Sequence, residues 1–158
     1  MDIRRRFRYE IPTAIEFGCG AIHTLADHVK ALGGSRVLIV GDPGVVKAGV
    51  VERVAQPLRS AGIPFEIFSD IESDPDIFSV EKGTATARDG GRDLIVGVGG
   101  GSSLDTAKAI GIMLTNDGHI RDYVGLNKVK NALPGPDFLA VIDATEGSPS
   151  YGKVVNTA

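Results

Sequence analysis

Two short apolar runs, RVLIV over residues 36–40 and DLIVGV over 93–98, decide most of what this chain can become. Each is too brief for a helix and rich in β-branched residues, as expected of a strand covered on both faces. Stretches with helical spacing separate them. In AIHTLADHVKAL the apolar residues fall at 22, 25, 29 and 32, one helical face that stops at a Gly-Gly pair. VVKAGVVERVAQPLRSAG reads as one helix over 45–62, which Pro57 should kink or shorten. PFEIF is a short strand, and DIFSVEKGTATARDGG a weaker helix with Gly83 inside it. SSLDTAKAIGIMLTN is the best helix pattern in the chain, with Leu104, Ala107, Ile110, Gly111 and Leu114 facing the sheet, and DFLAVID is the last strand. FRYEIPTAIEFG is extended in character, but Pro12 withholds a ladder donor and suits a sheet edge or hairpin.

Strand alternating with helix implies parallel pairing through right-handed crossovers. The expected fold is α/β: an open, mostly parallel, doubly wound Rossmann-like sheet with helices on both faces and an N-terminal edge strand or hairpin. At 158 residues with no fixed repeat and no long linker, the chain reads as one α/β domain over 1–140 followed by a divergent tail over 141–158.

Composition narrows the classes. A net charge of −3 argues against nucleic acid and anionic membranes as partners. The start MDIRRRFRYE has basic residues but no apolar stretch behind them, so it reads as a solvated arm and not a secretory signal. No apolar run reaches membrane-spanning length. The single cysteine, Cys19, excludes an internal disulfide and fits a reducing, cytoplasmic setting. Glycine, at 21 of 158 residues, stands at about twice its average usage. With 42% hydrophobic residues the chain is not low-complexity, so the excess glycine belongs to turns and close backbone approaches.

The densest glycines lie in VGVGGGSSLDTAKAI, residues 96–110, where a buried strand meets the best helix. In open parallel sheets ligands sit outside the carboxyl ends of the strands. Gly99, Gly100 and Gly101 can take positive φ and present amides with no Cβ in the way. Ser102 or Ser103 can cap the helix, and Ser102-x-x-Asp105 has capping-box spacing. A helix N-terminus of this kind suits a phosphate, although the spacing is neither G-x-G-x-x-G nor the P-loop pattern. Asp105 would repel a pyrophosphate, so it caps the helix, pairs with Lys108 or reaches a hydroxyl. In VLIVGDPGV, Asp42 follows the first strong strand, where a carboxylate can bind ribose hydroxyls. Asp before Pro is equally an ordinary turn starter. Together the two places describe a dinucleotide, adenosine at Asp42 and pyrophosphate at the glycines.

YEIPTAIEFGCGAI, VLIVGDPGVVKAGVVERV, DLIVGVGGGSSLDTAKAIGIMLTN and HIRDYVGLNKVK resemble successive stretches of the iron-containing alcohol dehydrogenase family, in the superfamily that includes glycerol dehydrogenase. The resemblance spans residues 7–140 and covers the family's nucleotide-binding domain. It implies NAD(H) as cofactor, with Gly99, Gly100, Gly101 and Ser102 at the pyrophosphate. Asp42 matches the position at which an acidic residue favours NAD over NADP. Asp74 stands where family members often have Asn before Pro, near the adenosine.

After FLAVI the family continues with a PTTAGTGSE-like segment, whereas this chain reads DATEGSPSYGKVV. The family's helical domain, with one Asp and three His as metal ligands, is expected to be absent, and no metal is expected. His23, His28 and His119 read as surface or packing residues. The tail is similar to a strand-turn-strand of selenium-binding propeller proteins, which implies a truncation or fusion. Tyr151 and Lys153 lack the Tyr-x-x-x-Lys spacing of a catalytic pair, so no catalytic residue is assigned. The expected function is an NAD(H)-dependent oxidoreductase of small alcohols, aldehydes or hydroxyketones, reduced to its nucleotide-binding half. The alternative is a dinucleotide-binding module without turnover, completed by a partner chain. Apolar surface left bare by a missing half favours a homo-oligomer.

Overall fold

The computed structural model describes residues 15–71, 76–125, 128–129 and 139–141, the last three through their backbone. Strands β1 (Val37–Gly41), β2 (Phe65–Phe68), β3 (Leu94–Val98) and β4 (Leu139–Val141) form a sheet of order β2-β1-β3-β4. Every pair is parallel, with Ile39 beside Ile67 on one side and Val96 on the other. The anticipated edge strand around Pro12 lies outside the described residues, as do Asp74, Tyr151, Lys153 and the tail beyond 141.

Alternation along β1 splits the core into two layers, because successive side chains of a strand point to opposite faces. Val37 and Ile39 pack with Leu25 and Val29 of α1 (Leu25–Ala31) and with Val51, Val54 and Leu58 of α3 (Val50–Ser60). Leu38 and Val40 pack with Val80 and Ala87 of α4 (Ile77–Asp89) and with Ala107, Ile110 and Met113 of α5 (Gly101–Thr115). Helices therefore cover both faces of a doubly wound sheet, as the alternation of patterns predicts.

Two helices depart from the sequence reading. The stretch 45–62 is not one helix: α2 (Pro43–Lys47) ends before Gly49, whose φ of 73° breaks the path, and α3 begins at Val50. Pro57 sits inside α3 without ending it. Its fixed φ is helical, and the fully buried Leu58 holds the last turn against the sheet at the expense of one backbone hydrogen bond. On α5 the inward stripe is Ser103, Leu104, Thr106, Ala107, Ile110 and Met113, whereas Gly111 and Leu114 are only half-buried.

Gly83 has a packing reason. A Cβ there would lie 2.3 Å from Ile110 Cδ1 and 3.0 Å from Phe68 Cε1, so its absence lets α4 approach α5 closely. Asp76 starts α4 by accepting from the Ser79 amide at 2.7 Å, and that bond holds its carboxyl below the usual carboxylate range.

Candidate functional site

The order in which strands are added reverses at the middle of the sheet. From β1 the chain crosses to β2 on one side, then returns past β1 to β3 and β4 on the other. The carboxyl ends of β1 and β3 are thus neighbours at the topological switch point, where such sheets open a crevice for ligands. Gly41, the last residue of β1, pairs with Val98, the last of β3. Asp42 and Gly99 follow directly on either side.

Asp42 is the N-cap of α2. Its Oδ1 accepts from the amides of Gly44 at 2.8 Å and Val45 at 3.1 Å. Its Oδ2 accepts from Ser103 Oγ at 2.8 Å, and its own amide donates back to Ser103 Oγ at 3.1 Å. The turn-forming role anticipated for an Asp before Pro is present, therefore, and a second bond joins it to α5. A carboxylate has about four acceptor positions, so three bonds from described residues leave room for one more.

The glycines divide in their roles. Gly99 alone of the three has positive φ, at 131°. A Cβ on it would meet Ser103 Oγ at 2.8 Å and Asp42 Oδ2 at 3.1 Å, so this glycine makes room for the Asp42–Ser103 pair. Gly100 has φ −83° and is the N-cap of α5, while Gly101 is its first helical residue. Neither needs left-handed freedom, contrary to expectation. A Cβ on either would meet nothing within 4 Å, so the backbone there faces open space.

The serines correct the sequence reading too. The helix starts earlier than the expected capping box, at Gly101, and its N-cap Gly100 makes no side-chain cap bond. Ser102 and Ser103 lie inside the first turn, and Asp105 is 3.8 Å from Lys108. Ser103 is fully buried (0% exposed) and serves the clamp to Asp42. Its tertiary role was missed, although its phase gave a signal: 103, 107 and 110 share one helical face, and a hydroxyl on a buried face needs a partner.

The arrangement presents a helix dipole, an uncluttered backbone and a fixed carboxylate around one crevice. Such a set can hold an anion beside a hydroxylated ligand. A model of the family described as iron-containing alcohol dehydrogenase matches residues 12–150. The chain belongs to the iron-containing alcohol dehydrogenase family. A choline dehydrogenase of Bacillus subtilis (strain 168) is 41% identical over 145 residues, 90% of this chain. A crystal structure of 1,3-propanediol oxidoreductase superposes with a TM-score of 0.79 at 38% identity over 86% of this chain. Sulfoacetaldehyde reductase from Bifidobacterium kashiwanohense, crystallised in complex with NAD+, gives a TM-score of 0.72 at 27% identity over 86% of this chain. In each case the chain spans 35% of the other protein's length.

The family's name implies iron. Among the described residues no three His, Cys, Asp or Glu side chains gather to hold a metal ion. His28 is bonded to Glu16 at 2.9 Å, His119 to Glu81 at 3.2 Å, and His23 is exposed. The described residues do not fit a bound metal. No helix among them is long and apolar enough to cross a membrane.

Proposed function

We propose that the β1–β3 crevice binds NAD(H), and that the chain is the nucleotide-binding part of an NAD(H)-dependent oxidoreductase of small alcohols, aldehydes or hydroxyketones. The observation that carries this reading is the meeting of the open Gly100–Gly101 backbone with the Asp42 carboxylate across one switch point. When bound, the dinucleotide supplies hydride transfer, and the chain's residues bind and orient it. Gly99, Gly100, Gly101 and Ser102 stand at the pyrophosphate. Asp42 stands at the adenosine ribose, with Asp74 near the adenosine and Asp105 toward a hydroxyl. A carboxylate at the ribose disfavours the 2′-phosphate of NADP. At an effective dielectric near 20, two unit charges about 4 Å apart repel by roughly 4 kcal/mol, which solvent and salt reduce.

Fluorescence titration with NADH and NADPH tests the reading. NADH should bind the more tightly, by about ten- to thirtyfold after screening. Gly100→Val should weaken NADH binding at least tenfold, about 1.4 kcal/mol. A folded variant that binds as well as the parent would overturn the glycine site. Following NADH absorbance with short aldehydes or hydroxyketones, with and without divalent metal, separates turnover from binding alone. Self-association belongs to the same proposal, and sedimentation velocity measures it directly.

A further inference from the structure

Asp42 and Ser103 are 61 residues apart in the chain and exchange two hydrogen bonds. Ser103 Oγ accepts from the Asp42 amide, which leaves its proton to be given to Asp42 Oδ2. The hydroxyl is fully buried, and the Gly99 backbone passes so close that a Cβ there would be 2.8 Å from Ser103 Oγ. The three residues form a lock between the end of β1, the loop after β3 and the first turn of α5.

We propose that Ser103 is the positioning residue that sets nucleotide selectivity through Asp42. The inference rests on the reading of Asp42 as the ribose contact. The N-cap bonds pin one oxygen of the carboxylate, but rotation about the last torsion of an Asp is soft and roughly two-fold. The Ser103 bond pins the second oxygen and so fixes the plane of the group. Both the acceptor available to a ribose hydroxyl and the charge opposed to a 2′-phosphate then have one location. Without the Ser103 hydroxyl the carboxylate turns about its remaining pin. A ribose hydroxyl loses a fixed partner, and a 2′-phosphate loses a fixed opponent.

The test is a cycle of parent, Ser103→Ala, Asp42→Asn and the double variant, titrated with NADH and NADPH, with thermal melts alongside. Ser103→Ala should weaken NADH binding more than NADPH binding and narrow the ratio by about threefold or more. In the Asp42→Asn background the same substitution should change the ratio by less than about twofold, because the group it positions is gone. Ser103→Cys keeps the side chain's shape with a larger atom and a poor donor, and should give a ratio between those of the parent and Ser103→Ala. It carries the test if the alanine variant does not fold. Equal weakening of both nucleotides, with the ratio of parent and Ser103 variants the same, would reduce Ser103 to a packing role and overturn the inference. If Asp42→Asn narrows the ratio and the Ser103 variants do not, the inference alone fails. If the parent binds neither nucleotide, or Asp42→Asn leaves the ratio intact, the underlying reading fails with it.

Discussion

Adjacent glycines with different surroundings give the sharpest residue-scale contrast. Gly99 has positive φ and is crowded by Ser103 and Asp42, whereas Gly100 has an ordinary φ and open space where a Cβ would stand. Gly99→Ala should therefore damage the protein without any ligand present. Backbone strain costs about 1–3 kcal/mol, and displacing the Asp42–Ser103 pair adds to it. Gly100→Ala should cost well under 1 kcal/mol, the modest loss of glycine at an N-cap. Thermal melts of the two apoproteins check this: equal melting temperatures would show that the lock does not hold Gly99. The run GGG marked the place, but it could not distinguish these roles. Crowding at Gly99 comes from Asp42 and Ser103, and the first of these is far away in sequence.

Elements β1 and β3 are fastened at both ends by an aspartate. At the carboxyl end the fastener is Asp42 with Ser103. At the amino end Asp93, just before β3, accepts from the Ser35 amide at 2.9 Å, Ser35 Oγ at 2.5 Å and the Arg36 amide at 2.8 Å. Partial burial pulls the Asp93 carboxyl upward, but these bonds outweigh it and the group lies below the usual carboxylate range. A depressed folded-state pKa means stability that is present above the unfolded value, near 4, and lost as pH falls through the folded one. Asp93→Asn should cost about 1 kcal/mol at neutral pH, solvent screening included. The variant should also lose less stability than the parent between about pH 5 and pH 3. Parallel acid-limb curves in denaturant titrations would refute the fastening role. Apolar runs made β1 and β3 legible and helical spacing made α5 legible, since each buries the residues that pattern declares. By contrast, α4 buries Ser79, Gly83 and Thr84 beside Val80 and Ala87 and leaves Phe78 exposed, which is why its pattern is the weaker one. The break at Gly49 and the start of α5 at Gly101 were not legible, because they depend on backbone torsions that neighbouring residues permit without dictating. Asp93 escaped notice for a related reason: its partners, Ser35 and Arg36, come from the turn ahead of β1, far away in sequence.

At the scale of the whole molecule, the switch point joins the two core layers. The β1 and β3 residues that end at the crevice are also the ones buried against helices on both faces. A ligand seated across that crevice touches the ends of elements that unfold together, so its binding energy should appear as global stability. Ligand that binds only the folded chain at a free concentration of 100 times its Kd adds about 2.7 kcal/mol. For a chain of this length that corresponds to a rise in melting temperature of roughly 5–10 °C. Under the proposed NAD(H) reading, the melting temperature should climb with the logarithm of NADH concentration in the parent. Inorganic phosphate, which reaches only the α5 N-terminus, should give a smaller rise at equal concentration. Adenosine diphosphate, long enough to span from Asp42 to Gly100, should fall close to NADH. Gly100→Val should keep the parent's unliganded melting temperature within a few degrees, since nothing in the protein stands within 4 Å of the added Cβ. The same variant should lose most of the NADH-dependent rise. Differential scanning calorimetry across a nucleotide series measures all of these together. A melting temperature indifferent to NADH at concentrations that saturate fluorescence would mean that the nucleotide binds away from the switch point, on a part of the chain that does not unfold with the sheet.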